Sequence, residues 1–271
     1  MNKILFFDID GTLLDAKGRV ADSTREALRR AAQRGHKLFI CTGRAKAQVF
    51  PEIMALGFDG VIAVTGAEVW VGDEMIFQSC MDPEQVERFL EHFEKKHCSY
   101  GLQTAVGALC TREGWEYTRQ RFQRLGRDPE VVEANMRRFA AVDTLHGRQD
   151  VEKLFYNYSD ETVEQVQAWL GDYFHVERSS FSDADDYSGE ITQVGMDKSV
   201  GMARVLKYYG LDRKDSVAFG DGPNDAEMLS FAGTGVAMGN ARPKLKALAD
   251  YVTDDIFHDG ILHAMEYLQL I

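Results

Sequence analysis

The chain opens on four consecutive apolar residues, Ile4-Leu5-Phe6-Phe7, with no polar position between them. A strand of that pattern is buried on both faces, as in a parallel sheet covered by helices. The run ends in Asp8-Ile9-Asp10-Gly11-Thr12. A helix is predicted to start near Ser23-Thr24-Arg25-Glu26, where a hydroxyl followed three residues later by Glu has capping-box form, and to stop at Gly35. Two further apolar runs, Leu38–Cys41 and Val61–Val64, lead into Thr42-Gly43-Arg44 and Thr65-Gly66-Ala67. Val69–Val71 and Met75–Phe77 flank Gly72-Asp73, which predicts a hairpin.

The C-terminal third repeats this rhythm. Asp197 suits the cap of a helix carrying Val200, Ala203 and Leu206 on one face. A strand at Ser216–Phe219 follows, then the loop Gly220-Asp221-Gly222-Pro223-Asn224-Asp225 and a short helix to Gly233. Strands at Gly235–Met238 and Tyr251–Thr253 each precede a helix. Alternation of this kind predicts an α/β fold with a doubly wound, Rossmann-like parallel sheet. The middle of the chain breaks the rhythm. Asp82-Pro83-Glu84-Gln85 reads as a helix start, followed by Val86, Phe89, Leu90 and Phe93 at helical spacing. Short β-like pieces after Ser99, a stretch rich in Arg and Glu over Arg119–Arg138, a strand at Lys153–Tyr158 and a helix bearing Val163, Val166 and Leu170 complete it, with strand candidates at Phe174–Glu177 and Glu190–Gln193. The expected organisation is a core made of residues 1–81 and 189–271, interrupted by an α+β insertion over 82–188.

Ligands of an open α/β sheet bind outside the carboxyl ends of its strands. Asp8, Thr42, Thr65 and Asp221 each follow an apolar run directly, so chain-distant polar groups are expected to meet at one sheet edge. Asp8 and Asp10, two residues apart on extended chain, point the same way. Held together, two carboxylates require a proton or a cation between them; as isolated turn residues they require neither. The loop carrying Asp221, Asn224 and Asp225 can bind phosphate or metal, although Asp225 equally suits a helix N-cap. Thr42-Gly43 offers a hydroxyl and an N–H to an anion, and Lys198 taken alone reads as an exposed lysine at a helix start.

Composition narrows the partners. The 271 residues carry 31 Lys+Arg against 43 Asp+Glu, a net charge of −12, with no basic block. This argues against a nucleic-acid binder and against a polybasic membrane anchor. The apolar runs are too short to span a bilayer, and Met1-Asn2-Lys3 leaves no room for a leader before the first motif, so a cytoplasmic protein is expected. Cys41, Cys80, Cys98 and Cys110 contain no Cys-x-x-Cys pair and are expected as free thiols.

Asp8-x-Asp10-Gly-Thr12, strand-Thr42-Gly43-Arg44, Lys198 and Gly-Asp221-x-x-Asn224-Asp225, in that order, resemble the motif set of the haloacid dehalogenase superfamily. The long insertion resembles the α/β cap of the Cof-type sugar-phosphatase subfamily. The chain departs from that pattern at Thr65, where the subfamily usually has Asn, and at Ser199, where Gly often follows the lysine. The resemblance implies Mg²⁺-dependent hydrolysis of a small phosphorylated metabolite, a sugar phosphate, through an aspartyl-phosphate on Asp8. It implies Asp10 as general acid and base. Mg²⁺ would be held by Asp8, the Asp10 backbone carbonyl and Asp221, with Asp225 in support. Thr42, Gly43, Lys198 and Asn224 would hold the phosphoryl oxygens, and Arg44 would orient its loop without a catalytic role. Charge supports this separately. Four converging carboxylates carry −4; Mg²⁺ and Lys198 supply +3, and a proton on Asp10 brings the site to neutrality. An all-oxygen cage suits Mg²⁺ over Zn²⁺. Two alternatives remain compatible with the motifs: a phosphomutase on sugar phosphates, and a non-catalytic module that binds a phosphorylated ligand.

Overall fold

β1 (Ile4–Phe7) is buried at every position because strands flank it on both sides and side chains cover both faces. The computed structural model describes residues 2–15, 17–96, 98–124, 129–137, 139–178 and 187–271. After β1 come α1 (Asp22–Gln33), β2 (Lys37–Cys41), the short α2 (Pro51–Met54), β3 (Gly60–Ala63), β4 (Glu68–Val71) and β5 (Glu74–Gln78). The inserted segment holds α3 (Pro83–Phe93), β6 (Ser99–Thr104), β7 (Gly107–Thr111), α4 (Arg112–Arg124), α5 (Pro129–Met136), β8 (Phe139–Val142), β9 (Lys153–Ser159), α6 (Val163–Leu170), β10 (Phe174–Arg178) and β11 (Tyr187–Gln193). The chain then returns through α7 (Lys198–Tyr209), β12 (Ser216–Gly220), α8 (Ala226–Phe231), β13 (Thr234–Ala237), α9 (Pro243–Lys246), β14 (Tyr251–Val252) and α10 (Gly260–Tyr267).

Two compact units result: Met1–Arg44 with Val49–Gln78 and Met196–Ile271, and Ala45–Gln48 with Ser79–Gly195. In the first, eight strands run in the order β14-β13-β12-β1-β2-β3-β4-β5. From β14 to β3 all pairings are parallel, which gives the expected doubly wound α/β sheet. The hairpin of β4 and β5 is added antiparallel at one edge. Ile4, Phe6, Phe39, Ile62 and Val69 meet Met202, Val205 and Leu206 of α7 in one apolar layer.

Two helix details differ from the pattern reading. α1 starts at Asp22 with Ala21 at the N-cap and no side-chain cap. Ser23 lies inside the first turn with its hydroxyl buried and unbonded, and Glu26 pairs with Arg29 at 2.6 Å instead. The buried stripe of Thr24, Ala27, Leu28 and Ala31 sets where this helix sits, and the possible capping box does not. α7 buries Lys198, Gly201, Met202, Val205 and Leu206, while Ala203 is exposed. Those five positions follow the i, i+3, i+4, i+7, i+8 template from a charged residue, so an apolar count misplaces the inner face by a fraction of a turn. Its cap is as expected: Asp197 accepts the Ser199 and Val200 N–H groups. Ser199 also donates its hydroxyl to Asp197, a contact glycine at this position lacks.

The second unit has its own sheet, ordered β10-β11-β9-β6-β7-β8 and antiparallel except for β7 with β8. One face packs on α3 and α6 through Val86, Phe89, Leu90, Phe93, Leu154, Tyr156 and Val166. Asp82 caps α3 as expected, and a capping box of Thr162 and Gln165 starts α6. The Arg- and Glu-rich stretch forms α4 and α5; its residues 125–128 and 138 lie outside the described residues. The four cysteines are free. Among the described residues no helix is long and apolar enough to cross a membrane.

On the surface of this unit His146 lies between Glu87 (2.5 Å) and Glu94 (2.7 Å). Both ring nitrogens face carboxylates, so the imidazolium is the matched state. The hydrogen bond to Glu87, with that to Glu94, raises the His146 pKa above 6.5. A raised folded-state value stabilises fully below the unfolded value and is lost as pH rises through the folded one. The difference in denaturation midpoint between the native chain and His146→Gln is therefore expected to be largest below the ordinary histidine value and to shrink as pH rises above it, as titrations of both proteins would read. The groups are partly exposed, so the effect is small.

Candidate active site

The adjacent parallel strands β12, β1, β2 and β3 end on one sheet edge, and backbone hydrogen bonds carry that order into the loops. The Asp8 N–H donates to the Phe219 carbonyl at 3.0 Å and the Thr42 N–H to the Ile62 carbonyl at 2.9 Å. Gly11, at φ +89°, turns the first loop against Asp221; a Cβ there would lie 2.2 Å from an Asp221 carboxylate oxygen. Only glycine permits that approach.

Lys198 enters from α7 and is fully buried. Its Nζ donates to Asp8 Oδ1 and to Asp225 Oδ1, each at 2.6 Å. Burial pulls the Lys198 pKa down, but Asp225 and Asp8 outweigh it and hold the group charged. The second oxygen of Asp225 accepts the N–H groups of Asp221 and Gly222, both at 2.9 Å. Asp225 occupies the N-cap position of α8 but does not cap it. Instead it ties the lysine to its own loop. Asp221 accepts from the Thr12 hydroxyl at 3.0 Å and from the Asn240 amide at 3.2 Å.

Ligand oxygens of Asp8, Asp221 and Asp225 lie within 4.8 Å of one another. Burial, with Asp225 adding and Lys198 opposing, pushes the Asp8 pKa up to about 8. Burial followed by the Asp225 charge pushes Asp221 up to about 6. Fully ionised, three carboxylates against one ammonium carry an excess of two negative charges, and the raised values of Asp8 and Asp221 report that excess. A divalent cation with oxygen ligands fits that deficit and that donor set.

Asp10 is not the fourth member of the cluster. Its carboxylate pairs with the guanidinium of Arg44, whose Nε and Nη2 donate at 2.9 and 2.5 Å. A bidentate cation holds it while three like-charged carboxylates would repel it, so the charge sum of the cluster runs over three carboxylates and not four. Thr42 is buried, with its hydroxyl accepting from the Arg44 N–H at 3.2 Å. Gly43 follows it at the end of β2, and Asn224 is half-buried in the β12 loop. Lys198 is an internal strut between two acids, not an exposed lysine.

The pattern reading assigned no role to Thr12 or Asn240 and none in catalysis to Arg44. Asn240 donates to Asp221 and to the Gly11 carbonyl (2.9 Å) while accepting from the Ile256 N–H (3.1 Å). It follows β13 as Asp221 follows β12, and that strand-end position was the available signal.

The chain belongs to the haloacid dehalogenase-like hydrolases, whose family pattern matches residues 5–265. YkrA of Bacillus subtilis (strain 168) is 30% identical over 275 residues, covering 100% of this chain and 99% of its own. The solved structure of BT1666 from Bacteroides thetaiotaomicron, described among phosphatases of the superfamily, matches with a TM-score of 0.83 at 29% identity, over 100% of this chain and 96% of that one. BT4131, described as a sugar phosphatase of subclass IIB, matches with a TM-score of 0.78 at 29% identity over 100% of both chains.

Two expectations follow. Lys198→Met leaves Asp8 and Asp225 buried without their shared counter-charge, which should destabilise the protein by roughly 3–5 kcal/mol. Chemical denaturation reads this as a lowered midpoint, and an unchanged midpoint would show the strut to be dispensable. Val64 and Thr65 both adopt left-handed backbone, at φ +47° and +54°. A β-branched residue is costly there and Asn is tolerated, so Thr65→Asn should stabilise by about 1 kcal/mol and raise Tm.

Proposed function

We propose that this protein is a Mg²⁺-dependent phosphatase of small phosphate monoesters, sugar phosphates among them, working through an aspartyl-phosphate on Asp8. The observation that carries the reading is Asp8 itself: a buried carboxylate at the sheet edge, steered by Lys198 through one oxygen, within a cluster two charges short of balance. The likeness to BT4131 supports the sugar-phosphate class.

Asp8, Asp221, the Asp10 backbone carbonyl and, in support, Asp225 would hold Mg²⁺. Bound there, the ion neutralises charge on the transferring phosphoryl group. Lys198 fixes the rotamer of Asp8, leaving its other oxygen to attack phosphorus as a positioned nucleophile. Thr42, Gly43, Lys198 and Asn224 supply donors for the equatorial oxygens, where charge accumulates in the transition state. Asp10, the most exposed acid of the set, protonates the leaving oxygen and then takes a proton from the attacking water. We assign substrate selection to the inserted unit, residues 82–188, as a cap domain on a catalytic core of 1–81 and 189–271. The surplus of acidic residues and the cysteine usage favour a cytoplasmic setting.

Phosphate release from a panel of sugar and aryl phosphates, with and without chelator, tests the reading. Release is expected to need Mg²⁺. Asp8→Asn should form no acid-stable phosphoenzyme, and Asp10→Asn should lower turnover by roughly 10²–10⁴-fold. An isomeric sugar phosphate with little free phosphate would indicate a mutase. Ligand binding without turnover in Mg²⁺ would indicate a binding module.

A further inference from the structure

Asn240 is an exposed residue whose side chain nevertheless makes three specific hydrogen bonds. The Ile256 N–H can only donate, so the amide oxygen must face it, at 3.1 Å. That places the amide nitrogen against two acceptors, the Gly11 carbonyl at 2.9 Å and Asp221 Oδ2 at 3.2 Å. Such bonds at an exposed position add little to folding, because water replaces them when they break. The backbone beneath is tied down on every side. The Met238 N–H donates to the Gly220 carbonyl and the Gly239 N–H to the Asp254 carbonyl, both at 3.0 Å, and the Ala241 N–H donates to the Met238 carbonyl at 2.9 Å. Lys246 Nζ donates to the Gly239 carbonyl. One amide, presented from a rigid turn, thus joins the loops that follow β1, β12 and β14.

What the amide holds matters more than what it stabilises. Asp221 receives the Thr12 hydroxyl on Oδ1 and the Asn240 amide on Oδ2, so a donor on each oxygen sets the plane of the carboxylate. The same amide grips the Gly11 carbonyl, while the Gly11 N–H donates to the Leu14 carbonyl at 2.8 Å. The Gly11 N–H and the Asp10 carbonyl belong to one planar peptide, so fixing the first fixes the second. Asp221 and the Asp10 carbonyl are two of the groups assigned above to the cation. Partners that orient metal-binding oxygens from behind typically change affinity by roughly 10–10²-fold when removed.

We propose that Asn240 is a positioning residue that sets the affinity of the carboxylate cluster for a divalent cation and couples that site to the loop after β14. The inference rests on the phosphatase reading above for its cation and not for its chemistry. Asn240 is no ligand itself; it acts through Asp221 and through Gly11. The coupling runs both ways. Whatever the ordered amide contributes to cation affinity, the bound cation returns as order in the amide, and therefore in its bond to the Ile256 N–H.

Binding of Mg²⁺ to the native protein and to Asn240→Ala is measured by calorimetry, and binding of Mn²⁺ by the electron-spin signal of the free ion. For Asn240→Ala we expect Kd for both ions to rise by roughly 10–10²-fold, with turnover recovered when Mg²⁺ is raised to saturation. A residue that only supports the fold would lower the denaturation midpoint in chelator and leave Kd unchanged, and that result would overturn the inference. The second measurement uses the native chain, which covers the case in which the variant does not fold. Saturating Mg²⁺ should slow hydrogen exchange at the Ile256 amide, and this slowing should be lost in Asn240→Ala. Exchange at Ile256 that ignores Mg²⁺ in the native protein would overturn the coupling. A native protein that binds Mg²⁺ but hydrolyses no ester would overturn the phosphatase reading and leave this inference standing, whereas one that binds neither ion would overturn both.

Discussion

A single buried ammonium group shared by Asp8 and Asp225, with half-buried Asp221 beside them, is the constraint around which the core is arranged. Asp8 and Asp221 sit at the ends of neighbouring strands and Asp225 on the loop that follows β12. Among the described residues Lys198 alone brings opposite charge to the cluster, and it arrives from a helix nearly two hundred residues further along the chain than Asp8. Buried charge is tolerated only when it is paired and hydrogen-bonded. Much of the local structure follows from meeting that demand. Asp225 spends both oxygens on the lysine and on two backbone N–H groups. Thr12 and Asn240 each donate to Asp221. Gly11 is bare so that the first loop can close on the same carboxylate.

The same constraint separates the acids by role. Buried Asp8 and half-buried Asp221 are pushed toward the neutral form, as carboxylates are when water is removed and a like charge is near. Asp10, two residues from Asp8, stands apart from them, paired with the Arg44 guanidinium. One five-residue stretch thus contributes both a member of the carboxylate cluster, Asp8, and a separate carboxylate, Asp10, that has a guanidinium partner of its own. In the proposed chemistry the first group holds metal and nucleophile, and the second handles protons.

The departures from the family pattern have local physical consequences. Ser199 adds a side-chain donor to Asp197 and strengthens the start of the helix that carries Lys198. Thr65 does the reverse: it places a β-branched residue in left-handed backbone, and its N–H still donates to the Thr42 carbonyl at 3.0 Å. The loop keeps its shape at the expense of strain, because β3 and β4 hold its two ends.

The strands, their order of appearance and their polar ends were legible in the sequence, because a strand buried on both faces must be written as an unbroken apolar run and the chemistry must stand where it stops. The Asp82 and Asp197 helix caps were legible for the same reason: they are local hydrogen-bond patterns with a fixed spacing. By itself the sequence also determined that acidic groups from distant segments share one sheet edge. What it could not show was which of them meet. The failed capping box at Ser23, the inner face of α7 and the pairing of Asp10 with Arg44 are all decided by contacts between residues far apart in the chain. Lys198 is the clearest case. As a residue at a helix start it reads as solvent-exposed, and only the tertiary structure, by bringing Asp8 and Asp225 to within 2.6 Å of its nitrogen, makes a buried charge the stable arrangement.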